Sequence, residues 1–448
     1  MNLHRMLQQR AAEGRPLAIG LIGAGKFGAM YLAQAKHTPG IHVTGIADLS
    51  PDRVRASLAR TGWAHERYSA HSFADAAKTG GTHLTADALA LIAAPEVAIV
   101  VDATGNPAAG IRHVLACCAH GKDVIMVNVE ADALAGPLLA RRAREAGIVY
   151  SLAYGDQPAL ICEMVDWCRA AGFEVVAAGK GTKYLPEYHG STPDTVWPFY
   201  GFTAEMVATG DFNARMFNSF LDGTKSAIEM AAVANATGLT PAPNGLEFPP
   251  CGVDDLPRVL RPRAEGGHLD HAGQVEVISS LERDGRAVLR DLRWGVYVTF
   301  RAGDATGEDY VRRCFGEYGF STDPSGRYAA MYKPYHAIGL ELGISVASVG
   351  LRREPTGVPV AWHGDVVATA KRNLAAGETL DGEGGYTVYG KLLPAAVSLE
   401  FHGLPLGLAH GVRLKRGIAA HQPVRWDDVA FDGADDAVKF RLEMEAAF

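Results

Sequence analysis

Apolar and polar positions in the first third of the chain alternate between strand-like runs and helix-like periods. The segment PLAIGLIGAGKFGAMYLAQAKH passes from a continuous apolar run through glycines into a helical period, and IHVTGIAD follows as a second apolar run. Further apolar runs at residues 97–102, 124–128 and 149–153 are separated by helical patterns. Such alternation is typical of a parallel sheet covered by helices on both faces. The pattern therefore predicts a doubly wound α/β domain over residues 1–155.

The turn after the first predicted strand has the spacing G-x-G-x-x-G. Its predicted cofactor-binding residues are Gly23, Ala24, Gly25, Lys26, Phe27 and Gly28. The turn follows a strand and opens a helix, and Asp48 stands 20 residues past Gly28, which is the context of a Rossmann-type dinucleotide site. The diphosphate would lie on the helix N-terminus. Asp48 favours NAD because it can bind ribose hydroxyls, whereas the nearby Arg53 and Arg55 leave NADP open.

Polar residues also follow the later strands of the predicted sheet. They are Thr104, Gly105, Asn106, Asn128, Glu130 and Asp156. Cofactors of such sheets bind beyond the carboxyl ends of the strands, so we expect these residues at the functional edge. Loops are polar for solvation alone, and each residue can equally be an ordinary loop residue.

The pattern changes beyond Ala159. A helix, the strand FEVVAAGKGTKYLP, a helical middle and a β-rich stretch predict an α+β substrate domain over residues 156–355. Its last element is an apolar helix over residues 331–352, which we expect to pack back toward the nucleotide domain. After the linker RREPTGVPV, short strands and glycine-rich turns predict a small β-rich domain at residues 356–448.

The composition indicates which classes of binding partner and which cellular compartment to expect. The 448 residues are 48% hydrophobic and 21% charged, with a net charge of −7 and no basic stripe, so we expect no nucleic-acid partner. Six cysteines without C-x-x-C spacing predict reduced thiols. The charged N-terminal stretch and the absence of an apolar run of membrane-spanning length predict a cytoplasmic protein. Apolar strands in the substrate domain favour a homo-oligomer.

Three groups of polar residues in the substrate domain are candidates for chemistry. Lys180 and Lys183 follow a predicted strand between glycines that permit close ligand approach, or they form a solvated turn. In FLDGTKSAIEMAA, Asp222 and Lys225 lie one turn apart on a predicted helix, either as acid/base groups or as a surface ion pair. The stretch MYKPYH places Lys333, Tyr335 and His336 at a predicted helix start. His336 can equally be a packed core histidine.

Nucleophile and metal motifs are scarce in this sequence. There is no G-x-S-x-G turn, no activated cysteine, no H-E-x-x-H and no paired C-x-x-C. Carboxylates at element ends, Asp156, Glu163 and Asp222, leave a magnesium or manganese ion open.

The order of these motifs resembles the homoserine dehydrogenase superfamily. In that family a strand-end motif, an Asp and a Lys on a substrate-domain helix, and a late helix surround the nicotinamide. GKGTKY, LDGTKSAIEMA and YKPYHAIGLEL stand at the corresponding places. The resemblance implies that Lys225 is the general acid and that Asp222 orients it or the substrate. It further implies catalytic roles for Lys180 and Asp156, and substrate contacts from Lys183, Tyr184, Lys333 and His336.

Two departures and the C-terminal segment point to one branch of that superfamily. Glu130 and Ala131 replace the usual Asn-Lys pair, and Lys180 and Lys183 are additional charges that favour an anionic substrate. VVATAKRNLAAGETL resembles a SAF domain. With SLAYGDQPAL and FPPCGVDDLP, the chain is similar to the 1-deoxy-D-xylulose 5-phosphate reductoisomerase-like enzymes, which implies an NADP-dependent reductoisomerase acting on a phosphorylated sugar.

Alternative functions stay open on the same residues. The branch also contains oxidoisomerases of branched sugar acids such as D-apionate, and a homoserine or hydroxy-acid dehydrogenase would need a similar site. A nucleotide-sensing binding protein is the non-enzymatic alternative. The reaction products distinguish these functions, because only an isomerising enzyme changes the carbon connectivity of its substrate.

Overall fold

The computed structural model describes residues 2–209, 212–303, 308–431 and 435–448. The chain forms two compact units. The first contains Met1–Leu160 and His336–Pro359, and the second contains Ile161–Tyr335 and Val360–Phe448.

The elements follow one another along the chain in three stretches. The first stretch contains α1 (Leu3–Ala12), β1 (Leu17–Ile22), α2 (Lys26–Ala35), β2 (Ile41–Ala47), α3 (Pro51–Arg60), α4 (Phe73–Thr79), β3 (His83–Thr85), α5 (Ala88–Ala93), β4 (Ile99–Asp102), α6 (Pro107–His120), β5 (Asp123–Met126), α7 (Val129–Glu145), β6 (Tyr150–Leu152) and α8 (Gln157–Ala170). The second contains β7 (Phe173–Thr182), α9 (Val196–Tyr200), α10 (Ala204–Thr209), α11 (Ala214–Leu221), α12 (Thr224–Thr237), α13 (Leu256–Val259), β8 (Gln274–Ser279), β9 (Val296–Ala302), α14 (Glu308–Glu317), β10 (Ser321–Thr322) and β11 (Tyr328–Lys333). The third contains α15 (Gly343–Arg352), β12 (Gly364–Ala370), β13 (Thr379–Asp381), β14 (Val388–Pro394), α16 (Ala395–Glu400), β15 (His410–Leu414), β16 (Val429–Ala430) and α17 (Asp436–Ala447).

A six-stranded sheet with the order β3-β2-β1-β4-β5-β6 forms the centre of the first unit. All of its strand pairs are parallel. The apolar strands are buried on both faces, as parallel strands between helices must be, and the predicted doubly wound fold is confirmed. Helix α15 belongs to this unit because Leu342, Val346 and Val349 pack into the same core as Ile19 and Leu32.

The second unit is built on a mixed five-stranded sheet with the order β10-β11-β9-β7-β8. Strand β7 pairs parallel with β8 and antiparallel with β9. The last 89 residues (448 − 359 = 89) add two small antiparallel sheets, β12-β14 and β13-β15-β16. The predicted β-rich C-terminal domain is thus confirmed. Helix α17 is tied to β12 by a fully buried ion pair in which the Arg441 guanidinium donates to both oxygens of Asp365, at 2.9 and 2.7 Å.

Two predicted helices differ from the structure. The segment Phe220–Ala232 is not one helix, because α11 ends at Leu221 and α12 begins at Thr224, with Gly223 in the left-handed region at φ 86°. The helix predicted to begin at residue 331 begins at Gly343, since strand β11 continues to Lys333 and turns follow it. In both places tertiary contacts override a helical apolar period.

The structure also shows the state of the cysteines and the character of the helices. All six cysteines are free, and three of them, Cys117, Cys168 and Cys251, are buried. Within the described ranges, no helix combines the length and the apolar character needed to cross a bilayer.

Candidate functional site

The glycine-rich turn leaves room for a ligand at the start of α2. Gly25 is the N-cap residue and no side chain caps the helix, so its first N–H groups are available to an anion. A Cβ built on Gly25 would meet no atom within 4 Å, whereas one on Gly28 would lie 2.5 Å from the Gly23 carbonyl oxygen. Gly28 therefore serves packing, and Gly25 borders open space that fits the diphosphate of a dinucleotide.

Asp48 directly follows β2 and binds the glycine-rich turn through its carboxylate. Its Oδ2 accepts a hydrogen bond from the backbone N–H of Ala24, and its Oδ1 accepts one from Ser50, both at 2.9 Å. The guanidinium of Arg53 lies 3.9 Å from the same carboxylate and is 80% exposed. A carboxylate is thus held beside the turn, where a ribose would bind, and one exposed guanidinium lies next to it.

The two glycines give a contrast that tests the cofactor site. We expect Gly25→Ala to fold normally and to weaken NAD(P)H binding by about tenfold or more, equivalent to ~1.4 kcal/mol, because the added methyl group occupies the space of the diphosphate. We expect Gly28→Ala to cost about 1–3 kcal/mol of stability, because its methyl group meets backbone. Fluorescence titration with NADPH and urea unfolding measure the two effects. Equal affinities for Gly25→Ala and the unsubstituted protein would contradict the assignment of the turn.

A hydrogen-bonded chain fixes the loop after β4. The buried carboxylate of Asp102 accepts from the backbone N–H and the hydroxyl of Thr104, at 3.0 and 2.7 Å, and from Nδ1 of His113 at 2.8 Å. The Asn128 amide then donates to the Thr104 hydroxyl at 3.0 Å and to the carbonyl of Asn106 at 2.8 Å. Thr104, Asn106 and Asn128 are therefore brought together at the carboxyl ends of β4 and β5, where the Asn128 amide holds the Thr104 side chain and the Asn106 backbone.

Glu130 and Gly105 also meet at this edge. A Cβ on Gly105 would lie 4.0 Å from Glu130 Oε2, so this carboxylate lies close to the glycine.

Asp156 precedes α8 and accepts from the N–H of Gln157 at 2.9 Å, and the Gln157 amide lies 3.5 Å from Nδ1 of His336. Asp156 and His336 therefore both lie next to Gln157 in the first unit.

Lys180 lies inside strand β7, which corrects its predicted place after the strand. Its ammonium is buried and forms an ion pair with the buried carboxylate of Glu229 on α12. The flanking glycines serve neighbouring backbone rather than a ligand, since a Cβ on Gly179 would lie 1.8 Å from the carbonyl oxygen of Glu276. The pair joins the sheet of the second unit to the helix that carries Lys225.

Asp222 is completely buried between α11 and α12. Its Oδ1 accepts from the N–H of Thr224 at 2.9 Å, and its Oδ2 lies 2.7 Å from the ammonium of Lys371. Burial raises the pKa of the Asp222 carboxyl, and the Lys371 ammonium opposes that shift. The predicted helical pair of Asp222 with Lys225 is thus replaced by an ion pair with the C-terminal domain.

Lys183 and Tyr184 lie just beyond the end of β7. Burial, and next the neighbouring Arg293, lower the pKa of the Lys183 ammonium, which donates to the carbonyl of Phe199. The Tyr184 hydroxyl donates to Nε2 of His189 at 3.0 Å, and Nδ1 of His189 donates to the carbonyl of Asp222 at 2.7 Å. Burial lowers the pKa of His189 to about 4, so this ring is neutral at pH 7.

Lys225 and Lys333 are the remaining predicted lysines. Lys225 is half-buried in the first turn of α12, four residues before Glu229 and therefore on the same face of the helix. Lys333 ends β11, half-buried, with its ammonium 5.3 Å from the centre of the Tyr335 ring.

Three acidic residues were predicted as possible metal ligands: Asp156, Glu163 and Asp222. In the part of the chain that the structure describes, no group of three or more His, Cys, Asp or Glu side chains is placed to hold a metal ion. Asp222 is engaged by an ammonium instead.

Three family models match successive parts of the chain. The homoserine dehydrogenase NAD-binding domain matches residues 19–151, the catalytic domain of oxidoreductase DRL matches residues 155–342, and the SAF domain matches residues 365–430. A segment similar to a DRL catalytic domain thus lies between a homoserine dehydrogenase-type NAD-binding domain and a SAF domain. The residues matched by the catalytic domain include Lys180, Lys183, Lys225 and Lys333, and those matched by the SAF domain include Lys371. No curated protein sequence matches this chain.

Solved structures resemble parts of this chain. An oxidoreductase from Agrobacterium radiobacter, in complex with NAD+, L-tartaric acid and magnesium, is 19% identical over 37% of this chain and 44% of its own, with a TM-score of 0.27. A homoserine dehydrogenase from Thiobacillus denitrificans is 20% identical over 50% and 49%, with a TM-score of 0.36. A DOX-P reductoisomerase in complex with magnesium is 17% identical over 50% and 58%, with a TM-score of 0.32. This chain thus spans about half or less of the length of the first two proteins.

The sequence patterns did not point to several residues of the candidate site. Glu229 is detectable as a lone carboxylate in the apolar helix SAIEMAAVA, and Asp102 as a charge ending a buried strand. His113, His189 and Lys371 have no local signal: His113 bonds Asp102 11 residues away, His189 bonds the Asp222 carbonyl 33 residues away, and Lys371 pairs with Asp222 149 residues away (371 − 222 = 149).

Proposed function

We propose that this chain is an NAD(P)-dependent reductoisomerase that converts 1-deoxy-D-xylulose 5-phosphate to 2-C-methyl-D-erythritol 4-phosphate. The observation that supports it best is the position of Lys225. It is a half-buried ammonium at the start of α12, within the residues that match a DRL catalytic domain. A helix N-terminus favours negative charge, and together with the ammonium it would stabilise an alkoxide that forms there.

The chemistry divides between rearrangement and reduction. In the first step one carbon–carbon bond of the hydroxyketone breaks and another forms, which gives a branched aldehyde. When bound, the reduced nicotinamide supplies the hydride that converts this aldehyde to an alcohol. Lys225 would exchange the proton of the reacting oxygen, and Lys183 and Lys333 would bind the phosphate of the substrate. Lys180 would act indirectly, through the position of Glu229 on α12.

The cofactor proposal has two parts. The open space at Gly25 and the carboxylate of Asp48 fit a dinucleotide, and the carboxylate by itself favours NAD. The resemblance to reductoisomerases favours NADP, for which Arg53 would contact the 2′-phosphate. We also predict that a magnesium or manganese ion binds together with the substrate. A homo-oligomeric state of the protein is likewise a prediction.

A second candidate function follows from Asp48. An NAD-linked oxidoisomerase of a branched sugar acid such as D-apionate would use the same lysines toward a carboxylate substrate. A homoserine or hydroxy-acid dehydrogenase would need only hydride and proton transfer. Of these functions, only the isomerising ones change the carbon skeleton.

Product analysis separates the candidates. We expect NMR of a reaction with 1-deoxy-D-xylulose 5-phosphate and NADPH to show the branched tetrol phosphate, with NADPH consumed in equal amount. The same assay with D-apionate and NAD+, or with homoserine and NAD+, tests the alternatives. The Lys225→Met variant serves as the matched background. Cofactor binding without turnover of any of these substrates would overturn the proposed activity and favour a nucleotide-sensing protein.

A further inference from the structure

The SAF domain contacts the catalytic domain at the junction of α11 and α12, among other places. Three consecutive buried residues form this junction: Asp222 is the C-cap residue of α11, Gly223 adopts φ 86°, and Thr224 starts α12. The next residue is Lys225. Any contact that fixes this junction therefore also fixes the starting direction of the Lys225 side chain.

Lys371, directly after β12, is the centre of the contacts from the SAF domain. Its side chain is 2% exposed, and its ammonium lies 2.7 Å from Asp222 Oδ2. It also donates to the carbonyl oxygens of Ser191 and Gly385, both at 2.7 Å. The ammonium thus has two carbonyl acceptors and one carboxylate within ion-pair distance. The single negative charge at the junction is thus balanced by a residue of the neighbouring domain.

Other contacts hold the same junction from both domains. The N–H of Gly390 in β14 donates to the Thr224 hydroxyl at 2.8 Å. The His189 ring, which donates to the Asp222 carbonyl, stacks on Tyr389 of β14 with ring centres 4.3 Å apart. The SAF domain and the catalytic domain therefore share one buried polar network at the start of α12.

We infer that Lys371 is a positioning residue of the active site, which acts through Asp222 to fix the first turn of α12 and with it Lys225. The inference rests on the proposed role of Lys225. Without the ammonium, a buried carboxylate would lack its only counter-charge in this network. Asp222 would then take up a proton or turn away, and the N–H of Thr224 would lose its acceptor.

The test compares Lys371→Met with the unsubstituted full-length protein. We expect kcat to fall by about 10²-fold, the loss that a ~1 Å misplacement of a catalytic group produces. The dissociation constant for NADPH should stay unchanged, because the glycine-rich turn lies in the other unit. Lys371→Gln keeps donors for Ser191 and Gly385 but lacks the charge, and it replaces the Met variant if that protein does not fold. Lys415→Met, an exposed lysine of the same domain, is the matched control.

A second readout does not depend on turnover. The rate at which acetic anhydride acetylates Lys225, measured by mass spectrometry, should change severalfold in Lys371→Met and not in Lys415→Met. The double variant Asp222→Asn with Lys371→Met should be no slower than Lys371→Met alone, because both substitutions remove the same interaction. An unchanged kcat and unchanged Lys225 labelling in the folded variant would overturn the inference. Absence of turnover in the unsubstituted protein would instead refute the proposed function, and labelling would still decide the role of Lys371.

Discussion

Replacing Lys225 by Met is expected to reduce kcat by about 10²–10⁴-fold, the usual contribution of a general acid or base. Methionine keeps much of the length and apolar character of the lysine stem, so α12 should keep its packing. Cofactor binding should be unaffected, because the glycine-rich turn lies in the first unit. Steady-state kinetics with NADPH oxidation, together with fluorescence titration of NADPH, measure both quantities.

Controls separate catalysis from simple loss of charge. Lys225→Arg keeps the positive charge but is a very poor proton donor, so it should be nearly as slow as Lys225→Met. Lys439→Met removes an exposed lysine of α17 and should leave the rate unchanged. A Lys225→Met protein with more than a tenth of the original kcat would contradict the proposed role of this residue.

Replacing Lys180 by Met is expected to destabilise the second unit by about 3–5 kcal/mol. The substitution leaves the carboxylate of Glu229 buried without its counter-charge, while the apolar surroundings of α12 offer it no water. Urea unfolding followed by circular dichroism measures the change in the free energy of unfolding.

A double substitution tests whether the uncompensated charge causes this loss of stability. Lys180→Met together with Glu229→Leu removes both charges, and we expect its stability to lie within about 1–2 kcal/mol of the original, since well-packed apolar residues can replace a buried ion pair. A double variant as unstable as Lys180→Met would mean that packing, and not the uncompensated charge, explains the loss.

The nucleotide-binding unit was predictable because its determinants are local. A buried apolar strand, three spaced glycines and a carboxylate after the next strand lie within 32 residues of each other (48 − 17 + 1 = 32), and short-range geometry fixes how they meet. The sheet confirms that prediction. The start of the helix at Gly343 was not predictable, because the turns after β11 depend on packing in the first unit.

The candidate site was predictable only in its residue types. The lysines could be named, but their partners come from distant sequence: Glu229 lies 49 residues after Lys180, and Lys371 lies 149 residues after Asp222 (371 − 222 = 149). An i,i+3 spacing also suggested that Asp222 and Lys225 share a helix. One left-handed glycine between them ends α11 and changes the partner of the carboxylate.

The first unit is assembled from two separate stretches of chain, and this has a consequence for biosynthesis. Its core needs Val346 and Val349 of α15, which are made after the first 175 residues of the second unit (335 − 161 + 1 = 175). A nascent chain that has just passed Leu160 therefore displays an uncovered apolar surface on the nucleotide-binding sheet. Until α15 leaves the ribosome, this surface is a target for chaperones and a risk for aggregation.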